Sequence, residues 1–292
     1  MSNASDPRPL GADTLNDPGR SGRGPASVPA GSPLVVVEQH PQDGGVVVEV
    51  TLNRPAAMNA LSRALLDSLW TELERLAVRR EVRAVIIAGN SKAFCAGADL
   101  KERAGMSVEE TRTFLRRIRG IMDLVERLPM PTIAAIEGVA FGGGCELALA
   151  CDLRILGAGA KIGLTECALG IIPGAGGTQR LPRLIGSSRA KELIFTARRL
   201  PADVALAYGI ANYVVDAGAA SARAHALASE ICACAPISVE AAKAAIDGGL
   251  STGISEGLLL EARAYEVTLT TQDRLEALKA FADKRPPRFV GR

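Results

Sequence analysis

Two glutamates beside glycine-rich turns are the residues of this chain best placed to do chemistry. Glu146 follows Gly142-Gly143-Gly144-Cys145, and Glu166 lies in Leu164-Thr165-Glu166-Cys167, just ahead of Pro173-Gly174-Ala175-Gly176-Gly177-Thr178-Gln179. Paired carboxylates can divide acid and base roles when their surroundings push their pKa values apart. Three consecutive glycines leave backbone N–H groups open to a ligand, and at a helix N-terminus such groups hold an anion or an oxygen that becomes one. Phe94-Cys95-Ala96-Gly97-Ala98-Asp99-Leu100-Lys101 is a second small-residue turn with room for backbone donors. Each feature also has a plainer reading. Glycines permit tight strand–helix packing, and a carboxylate near a turn can stabilise a helix start or solvate a surface.

Both turns follow runs that read as strands. Residues 132–136 are apolar and β-branched, lead into the three glycines, and are followed by a short helical run over 146–151; residues 84–88 lead into the second turn. Upstream, 34–38 and 46–52 read as strands joined by a hairpin with Asp43-Gly44 at its centre. Ser62 caps a helix whose Leu65, Leu66, Leu69, Trp70, Leu73 and Leu76 recur at helical spacing. Ser107 and Glu110 form a capping-box pattern, opening a helix with Phe114, Leu115, Ile118, Ile121, Met122 and Val125 on its buried face. Strands and helices alternate to about residue 175, with another strand over 153–156, which predicts an α/β layer architecture. From Gly176 onward the pattern is almost wholly helical, ending in 273–284.

Composition narrows the function. The 292 residues are 48% apolar and 23% charged, typical of a globular chain, and the net charge of +2 argues against nucleic acid or a membrane surface as the principal partner. Aromatic content of 3% leaves little for stacking on bases. The Arg112, Arg116 and Arg119 stripe on one helix is the single feature favouring nucleic acid; its plainer reading is a solvated face, since Glu109 and Glu110 begin the same helix. No run approaches about 18 uninterrupted apolar residues, so no membrane-spanning helix is expected. Cys95, Cys145, Cys151, Cys167, Cys232 and Cys234 form no Cys-x-x-Cys pair and read as reduced core residues, and two histidines argue against a zinc site. Residues 1–32 are rich in Gly, Pro, Ser and Ala and read as a disordered tail. Their aspartates and prolines disfavour a mitochondrial transit peptide, so a cytoplasmic protein is expected, with the mitochondrial matrix less favoured.

In its motifs the chain resembles the crotonase family, the enoyl-CoA hydratase/isomerase superfamily. The resemblance is carried by Asn53-Arg54-Pro55 through Asn59-Ala60-Leu61, the Ala-Gly-Ala-Asp turn, Gly-Gly-Gly-Cys-Glu, Pro-Gly-Ala-Gly-Gly-Thr-Gln, and Ala280-Phe281-Ala282-Asp283-Lys284-Arg285. It implies a spiral of β-β-α units over residues 33–230 and a helical oligomerisation region over 231–292. The run 192–199 and the ending Arg285-Pro286-Pro287-Arg288-Phe289 look like the branch containing 3-methylglutaconyl-CoA hydratase and its RNA-binding relatives.

By that resemblance the substrate is an acyl-CoA thioester, with no metal and no separate cofactor, because CoA is part of the substrate. Glu146 and Glu166 would hold one water and add it syn across a conjugated C=C bond, while the N–H groups of Ala98 and Gly143 stabilise the thioester oxygen. Which carboxylate acts as base stays open. Ala96, Asp99, Leu100, Lys101 and Gly174 would line the CoA and acyl path, and Ala57, Met58 and Ala60 the adenine side. The family's trimers paired into hexamers would bring Phe281 and Lys284 to the CoA of a neighbouring subunit.

Overall fold

A computed structural model describes residues 31–89 and 92–292, so most of the expected N-terminal tail lies outside the described residues. The main sheet has six strands in the order β1-β2-β3-β4-β6-β9: β1 is Val35–Gln42, β2 Gly45–Leu52, β3 Val82–Gly89, β4 Thr132–Ile136, β6 Leu153–Gly157 and β9 Tyr213–Val215. The first pair is an antiparallel hairpin closed by Asp43-Gly44, and the remaining pairings are parallel. A second sheet holds three short strands, β5 (Val139–Phe141), β7 (Lys161–Gly163) and β8 (Leu200–Pro201).

β3 and β4 read as continuous apolar runs because both sheet faces are covered. Val85, Ile87, Ala134 and Ile136 face one buried cluster, with α1 (Arg63–Ala77) and α3 (Val108–Glu126) packed over it. Ala84, Ile86, Ile133 and Ala135 face the other, with α8 (Ala220–Cys232), whose Ala220, Ala224, Ala228 and Cys232 present small side chains at every fourth position to the sheet. Ser62 caps α1 and Ser107 with Glu110 completes the capping box of α3, as their sequence patterns predict.

After β3, β4 and β6 the chain enters the second sheet almost at once, through a bridge at Cys95, through β5 and through β7 respectively. That recurring step from one sheet to the other gives the β-β-α spiral expected from the resemblance. The helical reading after Gly176 needs a correction: β8 and β9 interrupt it, too short for periodicity to register. α5 (Gly177–Ile185) and α6 (Ser187–Phe195) precede β8, and α7 (Ala202–Ala207) lies between β8 and β9.

Three helices close the chain: α9 (Pro236–Gly249), α10 (Ile254–Leu269) and α11 (Gln272–Ala282). α9 and α10 have no buried residue, and Leu250, Leu259, Leu275 and Phe281 stand exposed. α11 is anchored through Asp273, whose carboxylate accepts the N–H groups of Val290 (2.7 Å) and Gly291 (2.9 Å). Among the described residues no helix is long and apolar enough to cross a membrane.

Candidate active site

The three glycines open α4 (Gly143–Ala150) in a way larger residues would block. Gly142 has φ of +52°, a backbone conformation that side chains resist. A Cβ on Gly144 would lie 2.1 Å from the Cys95 carbonyl oxygen, so only glycine brings the start of α4 against the 95–98 turn. That turn is pinned on two sides: Phe141 N–H donates to Cys95 O (3.0 Å), Leu61 N–H to Gly97 O (2.8 Å) and Asp99 N–H to Leu61 O (3.1 Å). The Ala98 and Gly143 amides consequently converge, and a Cβ built on Gly143 would sit 3.7 Å from Ala98 N. Neither N–H donates to an acceptor among the described residues.

Glu146, one turn into α4, is 3% exposed, and its Oε1 accepts the N–H groups of Ala175 (2.7 Å) and Gly177 (2.9 Å). Two arginines hold the loop that supplies those donors. Arg180 donates to Ala175 O (3.1 Å) and pairs with Glu126 and Asp123, and Arg119 Nε donates to Gly174 O. Burial raises the Glu146 carboxyl above its ordinary range, opposed by the Gly177 and Ala175 amides and by the charges of Arg180 and Arg119.

Glu166 opens a 3-10 turn, Glu166–Leu169, after β7 and is also buried, but its Oε2 has no hydrogen-bond partner. Burial, and secondarily the Glu146 charge, push its pKa up to about 7, with nearby backbone amides and Arg103 pulling the other way. One glutamate is thus supplied with donors for its anion, and the other is left in surroundings that favour its proton.

Both glutamates line one cavity of about 260 Å³, together with Ala96, Ala98, Leu100, Gly143 and Gly174. Leu115, Ile118, Leu169, Ile171 and Ile172 add an apolar wall, and Arg103 and Arg199 add charge. Sequence reasoning missed most of this wall. The spacing of Leu115 and Ile118 marks the buried face of α3, and nothing local in the sequence distinguishes a helix residue facing a cavity from one facing a sheet.

The other residues singled out in the sequence lie off the cavity. Asp99 turns away to pair with Arg54 (2.6 Å) and to cap the short α2 (Leu100–Arg103), which also carries the exposed Lys101. Ala57, Met58 and Ala60 belong to a turn knitted to the neighbouring 93–97 segment, where Ala96 N–H donates to Met58 O (3.0 Å) and the Asn59 amide to Ala93 O (2.9 Å). Phe281 and Lys284 stand exposed at the end of α11, outside this chain's own cavity. Cys95 and Cys145 are buried near the donor turns; burial pushes the Cys95 thiol up to about 12 and also raises Cys145, so neither offers a thiolate. Among the described residues no metal-spaced group lines the cavity.

Residues 42–292 match the family model described as enoyl-CoA hydratase/isomerase. The chain is 49% identical over 250 residues to the Bos taurus protein named enoyl-CoA hydratase domain-containing protein 2, mitochondrial, covering 84% of each chain. It is 47% identical over 255 residues to mouse methylglutaconyl-CoA hydratase, mitochondrial, covering 86% of this chain and 81% of that one. A crystal structure of enoyl-CoA hydratase from Bacillus anthracis superposes with a TM-score of 0.86 at 48% identity, covering 89% of this chain and all of that one (100%). With the sequence motifs, the two-sheet spiral and the paired glutamates in agreement, the chain belongs to the enoyl-CoA hydratase/isomerase, or crotonase, family.

Proposed function

We propose that this enzyme, a hydro-lyase by family, is an enoyl-CoA hydratase that adds water reversibly to trans-2-enoyl-CoA to give 3-hydroxyacyl-CoA. The observation that carries the reading is the unequal pair, Glu146 held by two amides and Glu166 poised near neutral pH, in one cavity with two converging N–H groups. The thioester oxygen accepts from Ala98 N–H and Gly143 N–H, which stabilise the charge that develops there without titrating; one such donor typically lowers a barrier by about 3 kcal/mol. Ionised Glu146 takes a proton from water as its oxygen bonds to the β-carbon. The electron pair of the C=C bond moves toward the thioester, and protonated Glu166 delivers its proton to the α-carbon. The pair then exchanges one proton to restore the starting state.

Purified protein should bleach the conjugated absorbance of crotonyl-CoA or a branched analogue, and inactivity on short, long and branched enoyl-CoAs would reject the proposal.

A second reading of the acyl group rests on Arg103 and Arg199. Both line the cavity and neither pairs with a carboxylate among the described residues; Arg199 lies over the Phe141 ring at 4.7 Å. They supply the positive charge that an acyl chain with its own carboxylate, such as 3-methylglutaconyl-CoA, requires. A higher kcat/KM on that substrate than on crotonyl-CoA, lost in Arg199→Ala, supports this reading; equal values reject it. The RNA-binding alternative loses its main support, since Arg112 and Arg116 pair with Glu109 and Arg119 is engaged at Gly174.

The exposed apolar residues of α9 to α11 support a homo-oligomer, with Phe281 and Lys284 completing a neighbour's CoA site; a fully active monomer by light scattering would contradict it. On compartment, the mitochondrial names of the relatives weigh against ranking the matrix below the cytoplasm, and a full-length fluorescent fusion decides between them.

A further inference from the structure

The chain has two histidines, His40 and His225, and the fold brings both to one place. Their rings meet edge to face with centroids 4.3 Å apart. His40 is on β1 and Glu49 on β2. The register pairs His40 with Val47 and Glu38 with Glu49, so alternation puts the His40 and Glu49 side chains on the same sheet face, as diagonal neighbours. That is the face α8 covers, since Val47 packs in its cluster, and α8 turns Ser221, His225 and Ser229 toward it at intervals of four.

The contacts at this seam are unevenly satisfied. His225 Nε2 lies 2.7 Å from Glu49 Oε2, and Ser221 Oγ donates to the same oxygen at 3.0 Å. Thr51 Oγ1 donates to Glu49 Oε1 at 3.3 Å. His40 Nε2, by contrast, is buried with no hydrogen-bond partner. Leaving a buried polar atom unpaired costs about 1–3 kcal/mol, so a ring nitrogen in this state beside a second imidazole and a carboxylate has a lone pair or N–H to offer a ligand. One ligand atom from each of His40, Glu49 and His225 can be chosen so that all lie within 4.8 Å of one another.

We propose that His40, Glu49 and His225 form a binding site for a borderline divalent transition metal, Zn²⁺ in the first instance, that clips α8 to the β1–β2 hairpin. Ligand bonds of about 2.0–2.2 Å place tetrahedral ligand atoms roughly 3.4 Å apart, a separation reached by rotamer adjustment of the three side chains. Two imidazoles and one carboxylate suit Zn²⁺ over Mg²⁺ or Ca²⁺, which prefer all-oxygen shells. His225 and Glu49 are partly exposed, with side-chain accessibilities of 25% and 14%, which leaves an entry path and a fourth position for water. The Ser221 and Thr51 hydroxyls donate to the two Glu49 oxygens and orient the carboxylate, as outer partners of metal ligands do. Two histidines look too few for a zinc site when the sequence is read by number, because Glu49 joins them only through strand register.

The seam is remote from the proposed chemistry: Glu146 and Glu166 line a different cavity, and α4 packs in the other cluster. The test uses tag-free, full-length protein stripped with chelator and titrated with Zn²⁺, with elemental analysis after gel filtration. One Zn²⁺ per chain is expected, with a rise in melting temperature. His40→Asn and His225→Asn should each weaken binding by about 100-fold or more, beyond the 10–100-fold typical of losing an outer partner, while hydratase activity stays unchanged. Co²⁺ loading gives a second readout, a visible tetrahedral absorption band in the wild type that is missing in His40→Asn. No retained Zn²⁺, or retention equal in wild type and the two variants, would overturn the proposal.

Discussion

Glu146 and Glu166 line the same cavity, yet the segments that carry them treat a carboxylate in opposite ways. Glu146 rides on a helix fixed by three glycines and is met by the Ala175 and Gly177 N–H groups, with Arg180 and Arg119 holding those donors in place. Glu166 sits on a single 3-10 turn, also buried though less deeply than Glu146, with Oε2 unpaired. Burial raises both pKa values, so burial alone does not divide their roles. The division comes from the two amides that hold the Glu146 anion and from the Glu146 charge, which raises Glu166 further, and it leaves one group suited to accept a proton and the other to give one.

The largest expected effect comes from erasing the difference. Glu146→Gln and Glu166→Gln should each lower kcat by about 10³-fold or more while leaving the CoA ester bound, within the range for general acid or base loss, and the double variant should fall little further because the two act as a unit. Near-normal turnover in either single variant would remove the basis for the comparison. A smaller effect is expected from loosening only the Glu146 side: Arg180→Ala should cut kcat by about 10–100-fold with folding retained, since misplacing a catalytic group by about 1 Å can cost about 10²-fold. If Arg180→Ala leaves kcat unchanged, the loop holds Glu146 without it.

The smallest effect is on stability. Glu166 has a folded pKa of about 7, above the ordinary carboxylate value of 4.5, so the folded state binds the proton more tightly than the unfolded state does. Stability therefore falls as pH rises from about 4.5 to 7 and stays lowered above that, by up to about 3 kcal/mol. Glu166→Gln should raise the melting temperature at pH 8 and give no such gain near pH 4. Equal shifts at both values would mean that Glu166 is not strained by its ionisation.

The glycine turns and the helix caps were legible in the sequence because they are local: Gly142 needs its positive φ, and Ser62 and Ser107 cap within three residues, whereas the close approach of Gly144 to Cys95 joins distant segments and was not. The donors to Glu146 were not legible, because the amides of Ala175 and Gly177 carry no sequence identity. Nor was the turn of Asp99 toward Arg54, since Asp99 sits in a donor turn and its partner is 45 residues away in the chain. The short β5, β7, β8 and β9 escaped for want of length, whereas the alanine- and leucine-rich faces of the C-terminal helices already exceed in sequence what an α/β core can cover, and α9 and α10 bury none of their residues in this chain.

The pH dependence of kcat/KM for hydration of crotonyl-CoA tests the unequal pair most directly. Ionised Glu146 and protonated Glu166 must coexist, so kcat/KM should fall as pH rises with an apparent pKa of about 7, while the assayed protein remains folded. A kcat/KM that is flat from about pH 6 to 9, or that rises through this window, would contradict the assignment of Glu166 as the proton donor.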